Sequence, residues 1–264
     1  MKKLFVYLAI SLLIPAKQLI GQRDSSQHSI AVDTGYHQTA VALSSGRLRP
    51  AYAIIPATLI TYGVLSLNVD ALKDVNEYFQ RSIWIDNPHS RTSIDNYLQW
   101  APGVALYGLR LAGVKGHDNV RDMSIIYGTS ILLNSTATHV VKAISNEWRP
   151  DGSDNKSFPS GHTSNAFVAA ELIRLEYKHC SPWYAIAGYA VAATTGYLRM
   201  YNNKHWFGDV VAGAGFGILS TDIVWWTYPS IKRWLFPKER STATMILPYY
   251  DAMMGAGIGL VHRF

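Results

Sequence analysis

Residues 142–162 read KAISNEWRPDGSDNKSFPSGH and residues 199–209 read RMYNNKHWFGD. Three clusters stand in these stretches. The first is Lys142 with Arg149 and Pro150, the second is Pro159-Ser160-Gly161-His162, and the third is Arg199, His205 and Asp209. Each alone has an ordinary reading. Lys142 suits a solvated charge, Ser160 a helix cap, and His205 with Asp209 a surface pair one helical turn apart. Their positions on the chain say more. Apolar and turn patterning predicts helices over about 96–114, 120–145, 160–178, 183–200 and 205–228. The helix bearing Lys142 then ends near Arg149, the next departs at Ser160, the third arrives at Arg199 and the fourth starts near His205. All three clusters meet at one end of an antiparallel bundle.

That meeting point is built for a phosphate. Two helix N-termini, at Ser160 and His205, aim free N–H groups and the positive end of a dipole at it. Lys142, Arg149 and Arg199 add three cations, and the planar guanidinium forks suit bidentate contact with phosphate oxygens. Such fixed charge also stabilises a phosphoryl group in transfer. Two histidines and a carboxylate complete the set. One histidine attacks phosphorus while the other protonates the leaving oxygen. An aspartate bonded to the attacking ring holds its tautomer. The spacing assigns His205 as nucleophile, Asp209 as its orienter and His162 as acid, then base. His162, His205 and Asp209 also have the composition of a two-histidine, one-carboxylate metal site. The three cations around them would repel a metal and attract an anion, so no metal is expected.

The three clusters resemble the signature of the type 2 phosphatidic acid phosphatase and vanadium haloperoxidase superfamily: Lys-x6-Arg-Pro, then Pro-Ser-Gly-His, then Ser-Arg-x5-His-x3-Asp. Lys142, Arg149, Pro150, Pro159, Ser160, Gly161, His162, Arg199, His205 and Asp209 match it in order. The match spans 142–209, and the helices from about 96 to 228 fit the family core. Residues before 90 and after 235 fall outside it. The resemblance implies an all-α, metal-independent phosphatase without a cofactor, with Lys142, Arg149, Ser160, Gly161, His162 and Arg199 holding the phosphate. Two features depart from the pattern. Leu198 stands where the family usually has Ser, which removes a hydroxyl donor, and only eight residues separate Pro150 from Pro159.

Composition leans toward a buried or membrane-associated protein. The chain of 264 residues is 48% apolar and only 16% charged, against about 25% charged in an average globular chain. Its mean hydropathy of +0.03 is modest for a protein made mostly of bilayer-spanning helix. The net charge of +6 comes from scattered residues, not runs, and no nucleic-acid motif is present. An anionic small molecule, a lipid phosphate or a membrane face fits better than nucleic acid. Cys180 is the sole cysteine, so there is neither an intramolecular disulfide nor a Cys-rich metal site. A lone cysteine of this kind is expected to be a small buried apolar residue.

Residues 1–21 read as a signal peptide or N-terminal anchor. Lys2 and Lys3 precede an apolar run of 13 residues, Leu4 to Ala16, short for a membrane span. Residues 22–49 form an irregular lead-in, 50–235 a helical phosphatase domain, and 236–264 a tail with two short alternating stretches that suit a β-hairpin or an extended tail. The expected architecture is a bundle of about six helices, membrane-embedded or membrane-associated. Arg110, Glu171, Arg174 and Asp222 interrupt its helices, and such charges face a bundle interior or a cavity. Basic residues cluster at the end opposite the site, which places the site on the periplasmic side. The expected activity is hydrolysis of a lipid phosphate monoester or pyrophosphate. Lipid A phosphate, undecaprenyl pyrophosphate, phosphatidate and phosphatidylglycerol phosphate are the candidate substrates, and no obligate protein partner is evident. A soluble periplasmic acid phosphatase is the second reading, and a vanadate-dependent haloperoxidase ranks below it.

Overall fold

The structure is a computed structural model that describes residues 51–235, 244–251 and 255–262. The expected signal segment over 1–21 and the lead-in over 22–49 lie outside the described residues. Eight α-helices stand among those described: α1 Ala51–Ser66, α2 Asp70–Gln80, α3 Ile94–Leu98, α4 Ala101–Leu111, α5 Val120–Ser145, α6 Gly161–Tyr177, α7 Pro182–Tyr201 and α8 Phe207–Leu235. The chain divides into two compact units, 1–226 and 227–264. The second holds the end of α8 and an antiparallel hairpin, β1 Thr244–Asp251 and β2 Gly255–His262, with Thr244 opposite His262 and Asp251 opposite Gly255.

The helix boundaries follow local chemistry. The Asn119 side chain caps α5 by accepting from the Asp122 N–H, and Asn146, at φ 50°, ends it in the left-handed conformation. Ser181 caps α7, with Pro182 at its first position, where a missing N–H costs nothing. The single helix expected over 96–114 is two. The break falls ahead of Pro102, which lacks a donor and suits a first helical turn: α3 ends at Leu98 and α4 begins at Ala101. Residues 51–85 also break. The helices on either side of Leu67–Val69 are bent by 91°.

Polar side chains share the interior with apolar ones such as Leu106, Met123, Ile126, Phe158 and Leu172, and several large apolar side chains face outward. Ser130, Asn134, Thr138, Thr163, Ser164, Glu171, Glu176, Thr195, Thr221 and Asp222 are all buried. Ile55, Val104, Leu111, Leu132 and Trp183 are each more than 60% exposed. The interrupting charges face inward, as their rarity on lipid-facing surfaces requires. Arg174 pairs with Glu171, and Arg110 with Glu176. One described helix segment, Phe207–Trp234, is long and apolar enough to cross a bilayer, and 67% of its most apolar window is buried.

Small residues let α8 serve two neighbours at once. Gly208, Ala212 and Gly215 lie against α1, and Gly213 and Gly217 against α6. A Cβ at Gly213 would sit 2.6 Å from the Ser160 carbonyl oxygen, and one at Gly217 would sit 2.8 Å from Phe167 Cβ and 3.0 Å from the Val168 nitrogen. This close approach brings the α8 N-terminus beside the α6 N-terminus. Gly217→Ala is therefore expected to lower the melting temperature of detergent-purified protein by roughly 3–10 °C, because overpacking against backbone costs about 1–3 kcal/mol. The same change at Gly128, where a Cβ meets open space, is expected to leave it equal or slightly raised, since Ala favours helix by about 1 kcal/mol over Gly. Equal melting shifts in thermal unfolding scans of the two variants would contradict the packing account.

Candidate active site

Lys142 sits in the last turn of α5, and its Nζ donates to the carbonyls of Lys156 and Ser157 at 2.7 and 3.1 Å. These bonds fold the 149–160 loop back over the helix end and leave the ammonium a third N–H. Arg149 Nε donates to Asp154 Oδ1 at 2.9 Å, and its NH1 donates to the Lys204 carbonyl at 3.3 Å. The same NH1 lies 3.4 Å from His205 Nε2. Arginine can only donate, so the facing Nε2 carries the lone pair and Nδ1 the proton. His205 Nδ1 duly lies 3.3 Å from Asp209 Oδ2.

Asp209 gathers this end of the protein. Its carboxylate accepts from His205 Nδ1, from the Ser157 hydroxyl and from the Trp206 N–H at 2.9 Å. The last bond is the return half of a capping box, from the third residue of α8 to the residue preceding it. The Asp209 carbonyl accepts the Ser160 N–H at 3.0 Å. His205, Asp209 and Ser157 are all buried.

The α6 N-terminus faces the same place. No side chain caps it, and a Cβ on Gly161 would meet nothing within 4 Å. Gly161 is therefore not required by packing; it leaves open space where a phosphate would approach the first-turn N–H groups. Ser160 is fully buried, its hydroxyl bonded to Thr163 Oγ1 at 2.8 Å and its N–H to the Asp209 carbonyl. Arg199, in the last turn of α7, donates from NH1 to Asp95, while its buried Nε has no partner among the described residues. His162 Nε2 lies 3.0 Å from Asn96 Oδ1.

Crowding of cations shapes the titration of the site. Burial, followed by Lys142, Arg199 and Arg149, holds the His205 ring well below the ordinary histidine range. Burial and the Arg199 guanidinium hold His162 down at about 4. Burial lowers Lys142 to about 8, against the pull of Asp209. At the rim, Asp151 bridges Arg91 at 2.9 Å and Lys204 at 2.6 Å. It is lowered to about 2: burial acts to raise it, and bonds from Lys204 and Ser153 outweigh that.

His139 is exposed and bonded to the Ser135 carbonyl at 2.7 Å. Cys180 is exposed, not buried as expected. Beside His205, the Trp206 indole donates to the Trp148 carbonyl at 2.8 Å. Sequence reading missed Ser157, Asp95 and Asn96. Ser157 stands two residues before Pro159, within reach of a close reading of that loop. Asp95 and Asn96 lie more than 45 residues upstream of Lys142, with no spacing that announces them.

Residues 124–233 match the PAP2 superfamily. The chain is 36% identical over 180 residues to the lipid A 1-phosphatase of Porphyromonas gingivalis, covering 68% of this chain and 38% of that protein. It is 32% identical over 107 residues to the phosphatidylglycerophosphatase B of Bacillus subtilis, covering 37% of this chain and 52% of the relative. The chain thus spans between a third and just over half of these relatives' lengths. Among solved structures, a transmembrane PAP2-type phosphatidylglycerolphosphate phosphatase from Bacillus subtilis aligns with a TM-score of 0.46 and 22% identity, covering 68% of this chain and 98% of the other. The matched residues contain all three clusters and the helices that carry them, and the helical domain of this chain belongs to the PAP2 superfamily.

Proposed function

We propose that this protein is a bacterial envelope phosphatase that hydrolyses a lipid phosphate monoester or pyrophosphate through a phosphohistidine on His205. The observation that carries the reading is the buried His205–Asp209 pair, with Nε2 turned toward the Arg149 guanidinium. In the first step His205 Nε2 attacks phosphorus, the bond to the leaving oxygen breaks, and that oxygen takes a proton from His162. In the second, His162 removes a proton from water, the water oxygen bonds to phosphorus, and the histidine–phosphorus bond breaks to release phosphate. Asp209 balances the charge on the His205 ring throughout. Lys142, Arg149, Arg199 and the N–H groups at Gly161 neutralise the phosphoryl oxygens, with no metal required.

The low proton affinity of both rings fits this sequence. A nucleophile must be neutral, and His205 is. An acid must be charged, and free His162 is not. Burial and three cations discharge it; the cations are the groups a phosphate would neutralise, so substrate binding lifts their share of the effect at the moment an acid is needed.

A lipid substrate is supported by the large apolar side chains exposed on the exterior and by the activities named for the relatives. Of the candidates, a lipid A phosphate has the support of the longer match. The basic residues at the far end support a periplasmic site at the inner membrane. The modest mean hydropathy favours the second reading, a soluble periplasmic acid phosphatase.

Phosphate release from a panel of lipid A, undecaprenyl pyrophosphate, phosphatidate and a water-soluble phosphomonoester, with EDTA present, separates these readings. Lipid-selective, EDTA-resistant release that falls by about 10³-fold or more in His205→Ala is expected. Release from the soluble ester alone would replace the lipid reading, and a vanadate-dependent halide oxidation without phosphate release would replace both. Asp209→Asn is expected to cut kcat by about 10²–10⁴-fold, as loss of a tautomer-holding carboxylate does; a variant within threefold of wild type would remove its assigned role. The pH dependence of kcat/KM reports the free protein. Its acid limb, corrected for the second ionisation of the substrate at about 6, is expected below pH 6, because His205 stays neutral there. A limb at pH 7 or above would contradict the lowered nucleophile.

A further inference from the structure

The short helix α3 lies outside the matched family segment, yet two consecutive residues on it reach two different site residues. Asp95, 1% exposed, accepts from Arg199, which is itself 8% exposed. Asn96 Oδ1 lies 3.0 Å from His162 Nε2. α3 is held there from both sides. On the α7 side, Asn202 and Thr92 exchange reciprocal bonds of 2.9 Å, and the His89 ring stacks on Tyr201 at 3.6 Å between centroids. On the α6 side runs a one-way relay of amides. Asn134 Nδ2 donates to Asn165 Oδ1 at 3.1 Å, Asn165 Nδ2 to Gln99 Oε1 at 3.2 Å, and Gln99 Nε2 to the Asn96 carbonyl at 3.0 Å. Asn165 stands one turn after His162 on α6, so the relay anchors α3 to the helix that carries the histidine.

We propose that Asn96 and Asp95 are positioning residues: Asn96 fixes His162 as the Nε2–H tautomer, so that Nδ1 is the atom that gives and takes the proton, and Asp95 holds Arg199 with its Nε free for a phosphate oxygen. This rests on the phosphatase reading above. A carbonyl oxygen can only accept, so the nitrogen facing Asn96 Oδ1 must carry hydrogen. When the phosphate is bound and the ring is charged, Nε2–H stays on Asn96 and Nδ1–H faces the leaving oxygen. As the P–O bond breaks, its electron pair goes to that oxygen, which takes the Nδ1 proton. The ring left behind is the neutral Nε2–H form that Asn96 already binds, and its bare Nδ1 then takes the proton of the attacking water. Asp95 engages NH1 of Arg199, and the unpartnered buried Nε is a donor left for the substrate.

The test compares kcat/KM on a short alkyl phosphate, whose leaving oxygen needs a proton, with that on 4-nitrophenyl phosphate, whose leaving oxygen does not. Outer residues that orient a working ligand typically contribute about 10–100-fold. Asn96→Ala, a change at an exposed side chain, is expected to slow the alkyl ester at least about tenfold more than the aryl ester. Equal slowing of both esters, or of neither, overturns the Asn96 assignment. Asp95→Asn is expected to raise the inhibition constant for inorganic phosphate about tenfold, and an unchanged constant overturns the Arg199 assignment. Wild type that cleaves neither ester removes the phosphatase reading and this one with it, whereas wild type active on both with an unselective Asn96→Ala removes this one alone.

Discussion

A carboxylate on the first turn of α8 holds the functional end of this protein together. Asp209 accepts from a histidine, a hydroxyl and a backbone N–H through its side chain, and from Ser160 through its carbonyl. One residue thereby orients His205, caps its own helix, pins the 149–160 loop and sets the start of α6. These bonds are possible because α8 carries glycines where it meets α6, so the two N-termini approach closely. Without that approach the helix ends would still be positive, but they would not point at one phosphate.

The same end concentrates positive charge. Lys142, Arg149 and Arg199 would repel one another if left alone in a buried site. The protein answers with carboxylates placed behind each guanidinium, Asp154 for Arg149 and Asp95 for Arg199, and with backbone carbonyls for Lys142. Each cation is held from the rear and keeps a donor at the front. Fixed donors of this kind need little reorganisation when charge develops on the phosphoryl oxygens.

Away from the site, polar residues such as Glu171 and Asn134 share the interior with apolar ones such as Leu106, Met123 and Leu172, while many large apolar side chains face outward. Packing of small residues, as in the Ala166–Ala170–Ala192 contact, and pairing of Glu171 with Arg174 add to the cohesion of that interior. This distribution suits a bundle whose surroundings are themselves apolar.

The sequence alone determined the all-helical class and the gathering of His205, His162, Asp209, Lys142, Arg149, Arg199 and Gly161 at one end of the bundle. Those features are local: helix period, caps and residue types at fixed spacing along a continuous stretch. Only the tertiary structure decided the rest. It split 96–114 ahead of Pro102, turned the Ser160 hydroxyl inward to Thr163, and brought Asp95 across 104 residues to Arg199 and Asn96 across 66 to His162. Such contacts depend on how helices pack and which faces meet. A side chain that works only through another residue leaves no periodicity or spacing of its own in the chain.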